Sequence, residues 1–138
     1  MIQQKVQVWI LSVADSGERM ALMLKLIPKR GGFWQPVTGG VEPQEAVIDG
    51  AKREAVEESG FAFSGEPQAL GIDFEFEGMR GPSHETVFWI AAPRGCPKPT
   101  LDPREHEAWR WVSLSEAEAM VGFPAQKQAA RKLAGLSS

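Results

Sequence analysis

At 138 residues, with 43% apolar and 24% charged side chains, the chain has the size of one domain and an ordinary globular composition, which excludes a disordered tail or a fibre. A formal net charge of −3 lacks the basic footprint that duplex nucleic acid requires, so an anionic ligand would need a metal ion or local cations. Apolar runs such as "VFWIAA" are too short to span a bilayer, the N-terminus lacks the order of a signal peptide, and the lone Cys96 cannot form an internal disulfide. The expectation is a single cytoplasmic domain over 1–138, a monomer or homodimer, with Cys96 a small loop residue.

"KVQVWILSV" alternates Val6, Val8 and Ile10 against polar or outward positions, and "MALMLKLI" follows the turn-like "ADSGER", which predicts two strands joined by a hairpin. "PKRGGFWQPVTGG" holds two prolines and four glycines in thirteen residues, which predicts a loop with a short extended piece near Phe33 to Gln35 rather than a central strand. From Pro43 or Gln44 to Ser59 the residues favour a helix, with proline in the first turn and Gly60 as its stop. "ALGIDFEFEG" and "ETVFWIAAP" read as strands separated by a loop "MRGPSH", and a proline-rich loop leads to a last short strand, "AWRWV". Ser113 and Glu116 have capping-box spacing for a short helix, and "PAQKQAARKLAGL" closes the chain as another. Partial alternation of strands and helices predicts an α/β fold with a mixed central sheet and helices on both faces.

Within the first helix Glu54, Glu57 and Glu58 stand within five residues. At about 100° per residue, Glu58 lies ~40° to one side of Glu54 and Glu57 ~60° to the other, so the three carboxylates share one arc. Such a cluster is either fully solvated or meets a cation, because like charges at this spacing repel. Ile48, Ala51 and Ala55 supply the face to bury, and Arg53 lies one turn before Glu57, where it can pair with it. Hard oxygen ligands in this number suit Mg²⁺ or Mn²⁺.

The wider spacing decides between the alternatives. Gly39, five residues, Glu45, seven residues and then Arg53-Glu54-Ala55-Val56-Glu57-Glu58-Ser59-Gly60-Phe61 fills every charged and glycine position of the Nudix box, here residues 39–61, with small Ala55 and aromatic Phe61 at the aliphatic positions. The chain resembles a Nudix hydrolase. The resemblance implies an α/β/α sandwich and metal-dependent cleavage of a diphosphate linkage, with Mg²⁺, or alternatively Mn²⁺, held by Glu54, Glu57 and Glu58. It also implies catalytic work for Arg53, a carbonyl ligand from Thr38, and close backbone approach at Gly39 and Gly40. Glu42 and Glu45 take supporting roles at the helix start, and Gly50 either leaves room beside the carboxylates or is a tolerated helix glycine.

Two further stretches, "FWQPVTGG" and "EHEAWRW", resemble the dihydroneopterin triphosphate pyrophosphatase branch. That resemblance implies Glu105 as a further metal ligand or base and Thr38 as a substrate contact. This branch carries a basic pair after the second strand, whereas here Lys25 is followed by Leu26, so its phosphate-binding arginine is missing or supplied elsewhere, with Lys5, Lys25, Lys29, Arg30 and Arg80 as candidates. Trp34 and Phe33 are candidate stacking partners for a flat ring, and His84 and His106 read as hydrogen-bonded structural residues. The leading expectation is a pyrophosphohydrolase that turns a nucleoside or pterin triphosphate into a monophosphate and pyrophosphate. Its competitors are a hydrolase of nucleoside diphosphate-linked compounds such as ADP-ribose or dinucleoside polyphosphates, and a metabolite-binding domain without turnover. A small phosphorylated molecule is the expected partner in each case, with neither duplex nucleic acid nor membrane.

Overall fold

The computed structural model describes residues 2–136. In chain order the elements are β1 (Gln3–Val13), β2 (Arg19–Leu26), a 3₁₀ turn at Pro28–Arg30, β3 (Trp34–Gln35), β4 (Val37–Gly40), α1 (Val47–Ser59), β5 (Gln68–Gly78), β6 (Gly81–Ala91), β7 (His106–Ser113), α2 (Leu114–Met120) and α3 (Pro124–Ala134). All seven strands join one mixed sheet. β1 is its axis and runs parallel to β6 over nine residue pairs, from Gln3↔Ser83 to Leu11↔Ala91.

On its other edge β1 changes partner. Leu11 to Val13 pair with β2, whereas Lys5 to Val8 pair with Gly40 to Val37 of β4. Between these contacts β1 and β2 part, and β3 and β4 fill the gap. Leu24 and Lys25 of β2 pair with Gln35 and Trp34 of β3. The segment expected as a loop is therefore two short strands. Pro36, which has no N–H to donate, sits at the step where the chain passes from one partner to the other.

Period-two alternation sends Val6, Val8 and Ile10 to the face covered by α1, where they meet Leu22, Leu24, Ala51, Ala55, Phe61, Phe88 and Ile90. The opposite side of β1 is not outward, as its polar residues suggested: Gln7 and Trp9 are fully buried and Leu11 nearly so. Trp9 and Leu11 pack with Met23, Ile72, Val87, Val112, Ala130 and Leu133 under α2 and α3. Two apolar layers on one sheet make the three-layer sandwich, because both sheet faces must be covered to remove their apolar surface from water.

Three local expectations change. α1 begins at Val47, not Pro43, because Gln44 takes a positive φ of 73° and the chain turns there instead of winding into helix. Ile48 stays on the exposed side of α1, and Ala51 with Ala55 forms its buried face. β5 and β6 meet through only Met79 and Arg80, since Gly78 already pairs with Gly81, so "PSH" is strand rather than loop.

The capping signal at α2 corresponds to a bond: Ser113 Oγ accepts from Glu116 N–H at 3.1 Å. Ser113→Ala is expected to lower the unfolding free energy by about 1 kcal/mol, read as a lower urea midpoint at unchanged slope. An unchanged midpoint would mean that α2 is held by its packing alone.

Candidate functional site

α1 and the turn before it are tied together by one guanidinium. Arg53 donates through Nε and Nη2 to the two carboxylate oxygens of Glu45, both at 2.9 Å, and through Nη2 to the Gly40 carbonyl at 2.8 Å. Its Nη1 reaches Glu54 at 2.9 Å and Glu57 at 3.3 Å. Planar donors in a fixed fork suit this bidentate grip, which a lysine cannot copy. The Arg53 hydrogen bonds hold the Glu45 carboxyl down at about 2, and the same bonds raise the guanidinium above its usual value. Sequence reading gave Arg53 the pairing with Glu57; its principal partner is Glu45, eight residues back.

The three box glutamates are graded across their arc. Side-chain exposure is 56% for Glu57, 13% for Glu54 and 7% for Glu58. Glu54 and Glu58 line a cleft of about 320 Å³ together with Thr38, Gly39, Gly40, Glu105, His106, Lys5 and Arg30. Glu57 is outside that lining, turned toward solvent beside Arg53. Glu105, 47 positions after Glu58 (105 − 58), comes back to the box, where its carboxylate lies 3.8 Å from Arg30 and its backbone oxygen accepts from Ile27 N–H at 3.0 Å.

Burial, with the adjoining Glu54 second, pushes the Glu58 carboxyl well above the usual range. Burial also raises Glu54, opposed by its bonds with Glu58 and Arg53. His106 is buried and its charged form disfavoured for the same reason, lowering its pKa. Its Nε2 stands 3.8 Å from Glu58 Oε1. The expectation of a hydrogen-bonded His106 is not met, because neither ring nitrogen has a partner among the described residues. Glu58 Oε1 and both His106 nitrogens are buried without a hydrogen-bond partner among the described residues. Buried groups in this condition are costly unless something else satisfies them. His84, in contrast, is bonded to Asp73 at 2.7 Å and Gln4 at 3.1 Å, as expected.

The donor chemistry fits a hard divalent cation. Glu54, Glu58 and Glu105 offer oxygen ligands in one cleft, with Glu58 Oε1 unpartnered. The backbone is cut away to admit them: a Cβ at Gly39 would lie 1.7 Å from Glu54 Oε2. Among the described residues no three such groups are already closed on a single point. Two of the box carboxylates, Glu54 and Glu57, are bonded to Arg53. Gly50 faces Glu45 and Val41, with 3.1 Å from a built Cβ to each, so its small size brings the helix against the box turn.

Two expected substrate contacts lie elsewhere. Lys25 pairs with Glu107 at 3.1 Å and lines neither this cleft nor the larger one beside it. The cations at the cleft are Lys5 and Arg30. Trp34 is half-buried against the α2–α3 layer with the Arg110 guanidinium 6.0 Å over its ring, and it too lines neither cleft. Phe33 is exposed and meets Phe123 edge-on at 5.7 Å. Cys96 is a loop residue whose N–H donates to Ser12 Oγ.

The larger cleft, about 840 Å³, shares Lys5, Gln35 and Thr38 with the glutamate cleft and continues on the α3 face of the sheet. Sequence reading missed it. Its signal was the polar Gln7 and Glu85 on strand stripes whose other members, Trp9, Leu11 and Val87, are core. No helix among the described residues is long and apolar enough to cross a membrane.

Among known proteins, the chain is 32% identical over 95 residues to the asymmetrical bis(5'-nucleosyl)-tetraphosphatase of Sus scrofa, which covers 68% of this chain and 65% of that protein. It is 27% identical over 124 residues to an octanoyltransferase of Myxococcus xanthus, covering 83% of this chain but 32% of that one. The chain thus spans about a third of one of these relatives and just under two thirds of the other. In structure it resembles a C. elegans Ap4A hydrolase binary complex, with TM-score 0.79, 20% identity and 96% of both chains covered. The E. coli dihydroneopterin triphosphate pyrophosphohydrolase superposes with TM-score 0.74 at 23% identity, covering 94% of this chain and 92% of that one. At these identities the likeness speaks for the fold, and the three-layer sandwich is the one expected from the box. Residues 3–133 match the NUDIX domain, and the chain belongs to that family.

Proposed function

We propose that the protein is a metal-dependent pyrophosphohydrolase that converts a nucleoside or pterin triphosphate into a monophosphate and pyrophosphate. The observation that carries this reading is the pair of joined clefts, one lined by Glu54, Glu58, Glu105, Lys5 and Arg30, the other largely apolar and wide enough for a ring. A bound divalent ion, held by Glu54, Glu58 and Glu105 with the Thr38 carbonyl beside them, would supply charge neutralisation at the phosphate oxygens and activation of a water. Glu57, expected as a third ligand of the box, is turned to solvent beside Arg53.

The chain's own groups do the rest. Arg53 fixes the box turn against α1, so that Gly40 and Glu54 keep their places. Gly39 lets the backbone of β4 lie against Glu54. Lys5 and Arg30 offer positive charge to a phosphate chain. In the net reaction one water oxygen forms a bond to phosphorus, the bridging P–O bond breaks, and pyrophosphate leaves with the bonding electron pair.

A second reading, hydrolysis of dinucleoside polyphosphates, is favoured by the tetraphosphatase relative at 32% identity. A binding domain without turnover has less support, since every box glutamate is present. The test is a panel of triphosphates, diadenosine tetraphosphate and ADP-ribose, assayed with Mg²⁺ and with or without added inorganic pyrophosphatase. Phosphate released from a triphosphate only when pyrophosphatase is added is the expected result. ATP and AMP formed from diadenosine tetraphosphate, at a kcat/KM about tenfold above every triphosphate, would transfer the assignment to the second reading.

A further inference from the structure

Two buried side chains that line the larger cleft, Gln7 and Glu85, form a relay with the core residue Trp9 behind them. Trp9 Nε1 donates to Gln7 Oε1 at 2.7 Å, and Gln7 Nε2 donates to Glu85 Oε2 at 3.0 Å. Trp9 and Gln7 are fully buried and Glu85 is 7% exposed. The indole can only donate, so it fixes the Gln7 amide with its oxygen toward Trp9 and its nitrogen toward Glu85. Glu85 is therefore presented to the cleft in one orientation as an acceptor. Its bond to Gln7 uses one of the roughly four lone-pair positions a carboxylate has. Burial raises the Glu85 carboxyl, with Gln7 and Lys5 opposing.

A second acceptor lines the same cleft. Gln126 of α3 is 5% exposed, and its Oε1 is buried without a partner among the described residues. The walls between these polar atoms are Ile72, Phe74, Phe76 and Phe123. Apolar walls around a few oriented polar atoms suit a flat heterocycle read at its edge. Both unspent polar atoms accept, so the complementary edge must donate.

We propose that Glu85, held by Gln7 and Trp9, is the residue that selects the substrate's ring, accepting paired N–H donors from the 2-amino-4-oxopyrimidine edge common to guanine and pterins. The ring N–H and the exocyclic amine of that edge lie side by side and can bind one carboxylate together. Adenine places an acceptor beside its amine, which finds no donor on a carboxylate oxygen that accepts. A site built to hydrogen-bond a donor rejects an analogue lacking it, because its own polar groups are then left unpaired. This inference rests on the triphosphate reading above for the position of the phosphate chain, but binding of the ring can be measured without turnover.

The experiment is calorimetric titration of the full chain with GTP, dihydroneopterin triphosphate, ITP and ATP in the presence of Ca²⁺, alongside turnover of each with Mg²⁺. GTP and the pterin are expected to bind at least tenfold more tightly than ATP, with ITP, which lacks the exocyclic amine, between them. The tighter of the first two identifies the ring, and either supports the assignment. Glu85→Gln is expected to keep its melting temperature and to shrink the preference over ATP at least tenfold. Gln126→Leu, on another element, weakens both donors. Equal binding of ATP and of the two 2-amino-4-oxo compounds by the unmodified chain would overturn the inference, as would an unchanged preference in a folded Glu85→Gln. If the binding order holds and no triphosphate is cleaved, the ring assignment stands and the hydrolase reading fails. If triphosphates are cleaved with no ring preference, the reverse is true.

Discussion

Glu58→Gln is expected to lower kcat by about 10²-fold or more and leave the protein folded. The loss corresponds to ~2.7 kcal/mol of transition-state stabilisation, the size seen when one electrostatic catalyst is removed. Folding should survive because burial already raises this carboxyl, and an amide fills the same space as the neutral acid. Replacing a buried ionisable group by a neutral isostere is not destabilising when the charge had no strong partner. The comparison is kcat at low millimolar Mg²⁺ together with thermal melting. Near-normal turnover in the variant would remove Glu58 from the cation site, whereas a lost melting transition would show that the carboxyl is needed for the fold.

Gly39→Ala is expected to have an effect of similar size from a single methyl group. The added Cβ would meet Glu54 Oε2 at 1.7 Å, its Cδ at 2.1 Å and its Cγ at 2.6 Å, so the Glu54 side chain has to leave its place. Gly39 has no positive φ, so alanine is compatible with its backbone. What moves is one flexible carboxylate rather than the strand. Turnover should therefore fall about 10²-fold and half-saturation by Mg²⁺ should rise, with unfolding free energy within about 0.5 kcal/mol of the parent. Gly40→Ala provides the control, since a Cβ there meets nothing within 4 Å. Equal activity of the two variants would sink the argument.

The box was legible because its information is local and periodic. A fixed spacing on a helix places Glu54 and Glu58 on one face, and the turn residues before it bring Gly39 and Gly40 alongside. Glu105 could be named only through resemblance, since nothing within forty-seven residues of Glu58 says that β7 begins beside α1. The partnership of Arg53 with Glu45 was hidden for a different reason. A helix starting at Pro43 would have carried Glu45 away on its first turn, and only the positive φ at Gln44 swings it back. The strand nature of Val37–Gly40 was masked by glycine and proline, whose local preferences lost to pairing with the central strand.

The larger cleft was least legible. Its parts come from β1, β5, β6 and α3, so no window of sequence contains them. Polar Gln7 looked like an outward strand residue because alternation alone cannot say which face is buried when both are. Trp34 and Lys25, named for their proximity in sequence, line neither cleft. β3 pairs with β2 and directs Trp34 to the α2–α3 layer, and Glu107 on β7 takes Lys25.

The parting of β1 from β2 separates two heritable tasks. Glu54 and Glu58 and the glycines beside them belong to α1 and β4, whereas the larger cleft is lined mainly by β5 and α3; only Lys5, Gln35 and Thr38 border both. A substitution on β5 or α3 therefore reshapes the larger cleft without touching Glu54, Glu58 or the spacing of the box. One chemical apparatus can in this way be kept through descent while its clientele changes, a division of labour set by where a single sheet opens.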